Sequence, residues 1–262
     1  MNNYHTHTWR CKHASGTVTD YTKEAETADI GILGISDHTP LPDNRWDFVR
    51  MGMDELDLYL EEFQTAAERF PQITLLKGFE CDWAPEYRNF YREELLEKRD
   101  TDYLIGAVHW FPYHGEWLYT GDIENSKHLS AYSSHIIEAM ESGLFSFIAH
   151  PDSFGIGYKP WDENARSCSR DIISAAEELG SILEINGYGL RKPMISTEEG
   201  ERRQYPLKGF WELAGESGIT AICNSDAHNP EDVAASLEET AKIASDFSVR
   251  LTDTLPLNIE VK

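Results

Sequence analysis

Histidine and acidic side chains recur where short apolar segments of the chain end. In chain order, these positions are His5, His7, Asp37, His38, Glu80, His109, His150, Asp152, Asp226 and His228, and His13 follows the first segment on a loop. Imidazole nitrogens and carboxylate oxygens suit divalent Zn, Mn or Fe, whereas the four cysteines lack the paired spacing of a thiolate site. The residue types therefore predict a centre that holds several metal ions.

Two pairs in this set have a spacing that puts both side chains on one face of a strand. His5 and His7 are two positions apart, and so are Asp226 and His228; residues i and i+2 of a strand point the same way. Each pair also has an ordinary explanation. His5 and His7 fit a surface pair, and Asp226 fits the cap of a helix. The metal prediction therefore depends on the whole set.

The elements that must position these residues alternate between strands and helices. Apolar runs predict strands at residues 3–7, 32–35, 73–76, 103–108, 144–149, 181–185 and 219–223. Amphipathic stretches predict helices at residues 53–70, 86–98, 129–142, 169–179, 206–217 and 230–247, and one after Asp20. This alternation favours an α/β fold with a parallel sheet.

A closed or nearly closed (β/α)7 barrel fits this pattern best, with an open doubly wound sheet as the alternative. Parallel barrels build their sites at the carboxyl ends of the strands, which is where the metal-binding residue types lie. The polar stretch at residues 196–207 predicts a long loop over one face of the barrel.

Composition limits the classes of function. The 262-residue chain is 40% hydrophobic and 11% aromatic, so it can form a core and is not disordered. Its 23 basic and 46 acidic residues give a net charge of −23. This charge repels nucleic acid and anionic membranes, although solubility alone could explain it.

The sequence also suggests a compartment. No apolar run approaches the roughly 18 residues of a membrane span, and no secretory signal is recognisable. The scattered cysteines fit a reducing environment, so we expect a cytoplasmic protein.

The order of the motifs resembles the polymerase-and-histidinol-phosphatase (PHP) family, and within it the monofunctional histidinol-phosphatase branch. The motifs between His5 and His228 are H-x-H, His, S-D-H, G-x-E, V-H, A-H-P and S-D-A-H. An N-x-x-G-x-R-K stretch at residues 186–192 and a Tyr-Pro pair at residues 205–206 indicate the branch. The resemblance implies a distorted, seven-stranded TIM-like barrel that forms one domain over residues 1–262.

The same resemblance implies three divalent metal ions at the carboxyl ends of the strands. The implied ligand sets are His5, His7, Glu80 and Asp226 for the first ion, Glu80, His109 and His150 for the second, and His13, His38 and His228 for the third. All nine positions carry the expected residue type, which argues against a non-catalytic copy. The identity of the metal stays open among Zn, Mn and Fe.

The chemistry expected of such a centre is hydrolysis of a phosphate ester. Metal ions about 3.5–4 Å apart lower the pKa of a shared water, which predicts attack by a bridging hydroxide. We expect Arg191 to clamp the phosphate, with a loop salt bridge as its alternative role. Asp37 and Asp152 are candidates for protonating the leaving group or for orienting the metal ligands. His114 and Trp110 are candidates for contacts with the rest of the substrate.

The resemblance predicts hydrolysis of L-histidinol phosphate to L-histidinol and phosphate in histidine biosynthesis, and the substrate depends on this analogy alone. One alternative is a phosphoesterase of the same family that acts on another small phosphate ester or a nucleotide. A second is a non-catalytic, metal-stabilised binding module. A third is metal-dependent C–N or lactone hydrolysis, which commonly uses a carboxylated lysine that no strand end here supplies.

The expected partner is a small phosphate ester, without nucleic acid or membrane. An exonuclease would need a basic track for its strand, and this chain is acidic. The sequence predicts no oligomeric state.

Overall fold

The computed structural model describes residues 1–198 and 200–257, so the predicted domain end at residue 262 lies outside the described residues. Its main sheet has eight strands, and every pair of neighbours is parallel. Strands β1 to β8 span Asn2–Asn3, Ile32–Ile35, Thr74–Asp82, Tyr103–Ala107, Phe147–Ile148, Ile182–Asn186, Thr220–Asn224 and Arg250–Leu251. Their order in the sheet follows the chain.

The sheet curls until its two sides approach each other at the carboxyl ends of the strands. An isolated parallel bridge joins Thr6, beyond β1, to Ala227, beyond β7. The backbone N–H of His7 donates to the Ala227 carbonyl at 2.9 Å. The predicted distorted TIM-like barrel is confirmed, and the sheet has one strand more than the seven predicted.

Strand β3 is longer than its apolar run predicts. Lys77 and Gly78 end the apolar pattern, but the strand continues to Asp82 because Gly78 to Asp82 pair with Tyr103 to Ala107 of β4. This extension carries Glu80 into the mouth of the barrel. Tertiary pairing here overrides local propensity.

Seven α-helices and a π-helix connect the strands among the described residues. Helices α1 to α7 span Val18–Thr27, Leu56–Arg69, Ser126–Glu141, Glu163–Leu179, Gly187–Arg191, Lys208–Gly215 and Leu237–Phe247, and the π-helix spans Phe90–Lys98. Helix α4 begins before its predicted start because Asp162 caps it, accepting from the N–H groups of Asn164 and Ala165. No helix within the described part of the chain has the length and apolar character needed to cross a bilayer.

Two short hairpins lie outside the main sheet. One pairs Trp110–Tyr113 with Glu116–Tyr119 directly after β4. The other pairs Ile195–Thr197 with Gly200–Arg202. The second occupies the first part of residues 196–207, for which the sequence predicts a long loop over one face of the barrel; residue 199 lies outside the described residues.

The core has two parts, divided by the sheet. Alternate residues of β4 show the division: Leu104 joins the large cluster that includes the helices, whereas Tyr103 and Ile105 join an inner cluster with Phe147 of β5. Leu255, near the end of the described chain, also belongs to the inner cluster. The inner cluster fills the barrel below the predicted metal ligands.

Tyr103 fills the inner cluster because two neighbouring strands present glycines to it. Its hydroxyl donates to the Tyr4 carbonyl at 2.5 Å, and a Cβ placed at either Gly34 or Gly78 would overlap the phenol. A Cβ at Gly34 would also lie 3.0 Å from the Tyr4 Cα. The two glycines therefore leave the space that the ring occupies.

We expect Gly34→Ala to lower the free energy of unfolding by about 1–3 kcal/mol, because the phenol and the strand beside it must move. Gly31→Ala is the matched control, since a Cβ there would lie 3.7 Å from its nearest neighbour, the Asn2 Oδ1. Urea unfolding of both variants measures the difference. Equal stabilities would contradict this account of the inner cluster.

Candidate metal centre

The nine predicted ligands converge at the mouth of the barrel, around a cavity of about 500 Å³. Eight of the nine line this cavity, and His5 lies fully buried beneath it. Strand ends bring them together: Glu80 lies on β3, His109 follows β4, His150 follows β5, and Asp226 follows β7. The structure therefore assembles the predicted set from separate parts of the chain.

Glu80 is the centre of the cluster. Its Oε2 lies 3.5 Å from Nε2 of both His5 and His7 and 3.0 Å from Nδ1 of His38. Its Oε1 lies 2.9 Å from Nε2 of His150 and 3.8 Å from Nε2 of His109. The two oxygens thus face different histidines, as the bridging role predicted for Glu80 requires.

Asp226 completes the group around His5 and His7. Its Oδ1 lies 3.1 Å from Nε2 of His7 and 3.6 Å from Nε2 of His5, while Asn186 donates to its Oδ2 at 3.0 Å. Asp226 has a φ of +48°, a conformation that is uncommon for residues other than glycine. Backbone strain of this kind concentrates at functional sites.

The implied third set is arranged less simply than the first two. Ligand atoms of His38 and His228 group with those of His7 within 4.8 Å, whereas His13 groups with His228 and the buried Cys11. The ring centroids of His13 and His38 are 5.4 Å apart. His13 is exposed at the rim, so it is the outermost of the predicted ligands.

The donor atoms fit a divalent cation. Several are buried and have no hydrogen-bond partner among the described residues: His5 Nε2, His7 Nε2, His38 Nδ1 and Asp226 Oδ1. A buried polar atom without a partner is costly. Three of these atoms belong to the first implied ligand set and His38 Nδ1 belongs to the third, so coordination of metal ions by the two sets would satisfy all four.

Burial and charge oppose each other in this cluster. Burial works to raise the pKa of Glu80, but His5, His38 and His109 outweigh it and hold that pKa well below its usual value. Burial works to lower the pKa of His7, but Asp226 and Asp37 raise it to about 9. Because imidazole must lose its proton to bind a metal, metal binding competes with protonation at His7.

Carboxylates outside the ligand set orient the imidazoles. Glu184 on β6 is fully buried; its oxygens contact His5 Nδ1 at 2.8 Å and accept from the His150 N–H at 3.0 Å. Asp82 contacts His109 Nδ1 at 3.0 Å. The sequence prediction missed both residues. A lone acid inside an apolar strand run was the available signal for Glu184.

Asp37 and Asp152, the candidates for protonating the leaving group or for orienting the metal ligands, do not line the cavity. Asp37 accepts from the N–H and the hydroxyl of Thr8, and its Oδ1 lies 3.7 Å from His7 Nδ1. Asp152 accepts from Leu207 N–H at 2.5 Å and Trp211 Nε1 at 3.2 Å, and burial raises its pKa to about 7. The structure thus gives them supporting positions, one behind a metal ligand and the other at the start of α6.

The predicted phosphate clamp is also placed elsewhere. Arg191 donates to the carbonyls of Ser225 at 2.9 Å and Asp226 at 3.2 Å, so its guanidinium braces the segment after β7 instead of facing the cavity. His114 is exposed at the tip of the first hairpin, away from the cavity. Trp110 does line the cavity.

Lys192 takes the position expected of Arg191. It lies four residues after Tyr188 at the end of α5, and both residues line the cavity with Tyr205. The Lys192 Nζ lies 4.8 Å from the Tyr188 ring centroid and 5.2 Å from that of Tyr205. Burial lowers the pKa of Lys192, although Asp226 opposes the shift. The i, i+4 spacing of Tyr188 and Lys192 was the signal that the sequence prediction missed.

The chain is similar to known proteins over most of its length. The model of the PHP domain matches residues 3–187. The chain belongs to the PHP domain family. A protein of Deinococcus radiodurans named "Probable histidinol-phosphatase" is 30% identical, and the alignment covers 94% of this chain and 93% of that protein. The prediction that this chain is a phosphatase is confirmed.

Two solved structures share the fold. The hisK protein of Listeria monocytogenes, provisionally assigned as a histidinol phosphatase, superposes with a TM-score of 0.73 at 20% identity over 91% of this chain and 99% of its own. The histidinol phosphate phosphatase of Lactococcus lactis, solved with zinc, L-histidinol and phosphate, gives 0.72 at 13% identity over 95% of this chain and 94% of its own.

We expect Glu80→Ala to lose most of the divalent metal that the unsubstituted protein retains, because its two oxygens face histidines of different implied ligand sets. Elemental analysis after dialysis against metal-free buffer measures the content. Glu86→Ala, at an exposed carboxylate just after β3, should keep its metal. Undiminished metal content in Glu80→Ala would contradict the central role of this residue.

Proposed function

We propose that this phosphatase hydrolyses L-histidinol phosphate to L-histidinol and phosphate, in histidine biosynthesis. The observation that carries the proposal is the cluster of imidazoles around Glu80, at the base of a cavity that also contains a lysine and an aromatic wall. The Lactococcus protein with the same fold was solved with zinc, L-histidinol and phosphate, and it supports the choice of substrate.

We further propose three divalent metal ions, held by the sets His5, His7, Glu80 and Asp226; Glu80, His109 and His150; and His13, His38 and His228. The imidazole-rich donor set favours zinc, with manganese and iron as alternatives. When bound, such ions supply Lewis acidity and an activated water for ester hydrolysis. Glu184, Asp82 and Asp37 keep the histidines oriented.

Lys192 is the residue that we assign to the phosphate. Its ammonium group is the only lysine or arginine charge among the described residues that line the cavity. The faces of Tyr188 and Tyr205 lie beside it, and Asp226 is its main electrostatic partner. An ammonium group binds phosphate as a point charge, so it needs no fixed plane.

The organic end of the substrate would lie against the aromatic side of the cavity. Trp110, Tyr119 and Phe48 line that side, and Phe48 is 64% exposed, which leaves its ring accessible to a ligand. Aromatic faces bind planar rings and cations. An overall charge of −23 favours the approach of a substrate with a cationic end.

All four cysteines are free, which supports the proposed cytoplasmic location. The proposed partner is the small phosphate ester alone, without nucleic acid or membrane.

The direct test is phosphate release from L-histidinol phosphate by protein reconstituted with Zn²⁺ or Mn²⁺, beside a panel of phosphomonoesters and one phosphodiester. We expect kcat/KM above about 10⁴ M⁻¹s⁻¹ for L-histidinol phosphate, well above the panel. Faster turnover of another monoester would overturn the substrate and keep the phosphatase chemistry. No turnover with metal bound would favour a binding role.

Lys192→Ala should raise KM for the phosphate ester about tenfold or more without loss of metal, because it removes a charge-assisted contact to phosphate. Steady-state kinetics and elemental analysis of the same preparation separate the two effects. Arg191→Ala is the comparison, and its main effect should be on stability, since its guanidinium binds backbone carbonyls. An unchanged KM in Lys192→Ala would remove this residue from the phosphate site.

A further inference from the structure

A buried arginine outside the predicted ligand set connects two sides of the cavity. Arg50 is 1% exposed and lies directly after the short 3-10 helix Asp47–Val49. Its guanidinium donates from Nη2 to Asp82 Oδ2 at 2.7 Å, from Nη1 to the Thr39 carbonyl at 2.9 Å and from Nε to the Trp46 carbonyl at 3.2 Å. All three nitrogens of the guanidinium are thus used.

The first connection leads to a metal ligand. The other oxygen of Asp82 accepts from the His109 N–H at 2.9 Å and contacts His109 Nδ1 at 3.0 Å. This contact assigns the ring proton to Nδ1 and leaves Nε2 directed towards Glu80, 3.8 Å away. The planar guanidinium fixes Asp82, and Asp82 fixes the ring.

The second connection leads to the aromatic side of the cavity. Arg50 holds the carbonyl of Trp46, whose φ is +54°, and its Cζ lies 5.4 Å from the Trp46 ring centroid. The Trp46 ring stacks on Trp110 with centroids 4.5 Å apart and planes 13° apart. Trp110 lines the cavity and directly follows His109 in the chain.

We propose that Arg50 is a positioning residue that holds the metal ligand His109 and the cavity wall at Trp110 in one fixed arrangement. It acts through Asp82 on the ligand and through Trp46 on the wall. The inference rests on the proposed metal-dependent function. An ion pair that serves stability alone would affect unfolding but neither metal affinity nor substrate binding.

Arg50→Lys separates these two roles, because lysine keeps the buried positive charge but cannot hold Asp82, Thr39 and Trp46 at once, so Asp82 is no longer fixed by a planar fork. We expect Zn²⁺ affinity, measured by chelator competition, to fall several-fold, which is less than the roughly 10- to 100-fold loss that follows removal of a ligand's direct outer partner. KM for L-histidinol phosphate should rise as well. Wild-type Zn²⁺ affinity in folded Arg50→Lys would overturn the proposal, whatever happens to activity.

One substitution on each connection should separate the effect on Zn²⁺ affinity from the effect on KM. Asp82→Asn should weaken Zn²⁺ binding, whereas Trp46→Leu should keep Zn²⁺ affinity and raise KM. Equal behaviour of the two variants would contradict two separate connections. Because the Zn²⁺ titration uses the metal alone, a wrong substrate assignment would leave its result intact.

Arg10→Lys is the matched control, since Arg10 is also buried and pairs with Glu55 at 3.3 Å and Glu62 at 2.6 Å. It should lose thermal stability and keep Zn²⁺ affinity. If Arg50→Lys does not fold, the double variant Asp82→Asn with Arg50→Leu removes both buried charges. Its Zn²⁺ affinity should match that of Asp82→Asn alone, and wild-type affinity would overturn the proposal.

Discussion

Glu80 is 1% exposed, and the histidines around it outweigh its burial and hold its pKa well below the usual value. Burying an isolated carboxylate costs much desolvation free energy. Such a group therefore needs partners that supply opposite charge and hydrogen bonds. Its partners here are histidines from β1, β2, β4 and β5 connections, which the parallel sheet brings to one end. Three features of the fold support these contacts of Glu80. They are the curl of the barrel, the extension of β3 past Gly78 and the buried carboxylates that contact the imidazoles.

The same constraint explains how much of the site the sequence could predict. Most of the nine predicted ligands stood out because they lie near the ends of apolar runs, which parallel strands place together, and the family resemblance supplied the complete set. Glu184 and Asp82 were not recognised, because they lie within strands, where the side chain's partner depends on the register with neighbouring strands. A lone acid in an apolar run marks Glu184 as unusual, but no spacing within the sequence says which histidine it contacts.

Errors at the edge of the cavity have a related cause. Residues 187–191 form a short helix that the apolar pattern did not predict, and this helix decides that Lys192 faces the cavity while Arg191 faces the carbonyls after β7. A difference of one position along a helix turns a side chain by about 100°, so the choice between adjacent cations depends on knowing the helix. Asp152 is likewise two residues after the predicted ligand His150, but its carboxylate accepts from the Leu207 N–H at the start of α6.

The predicted ligands at the base of the cavity and the residues of its walls come from different parts of the fold. Most of the predicted metal ligands lie near strand ends, whereas Phe48, Tyr119, Ile156 and Lys192 lie on the connections after β2, β4, β5 and β6. Connections can change without disturbing strand register. Membership of the PHP family thus constrains the hydrolytic chemistry more tightly than the organic part of the substrate, and specificity must be argued from the wall residues of this chain.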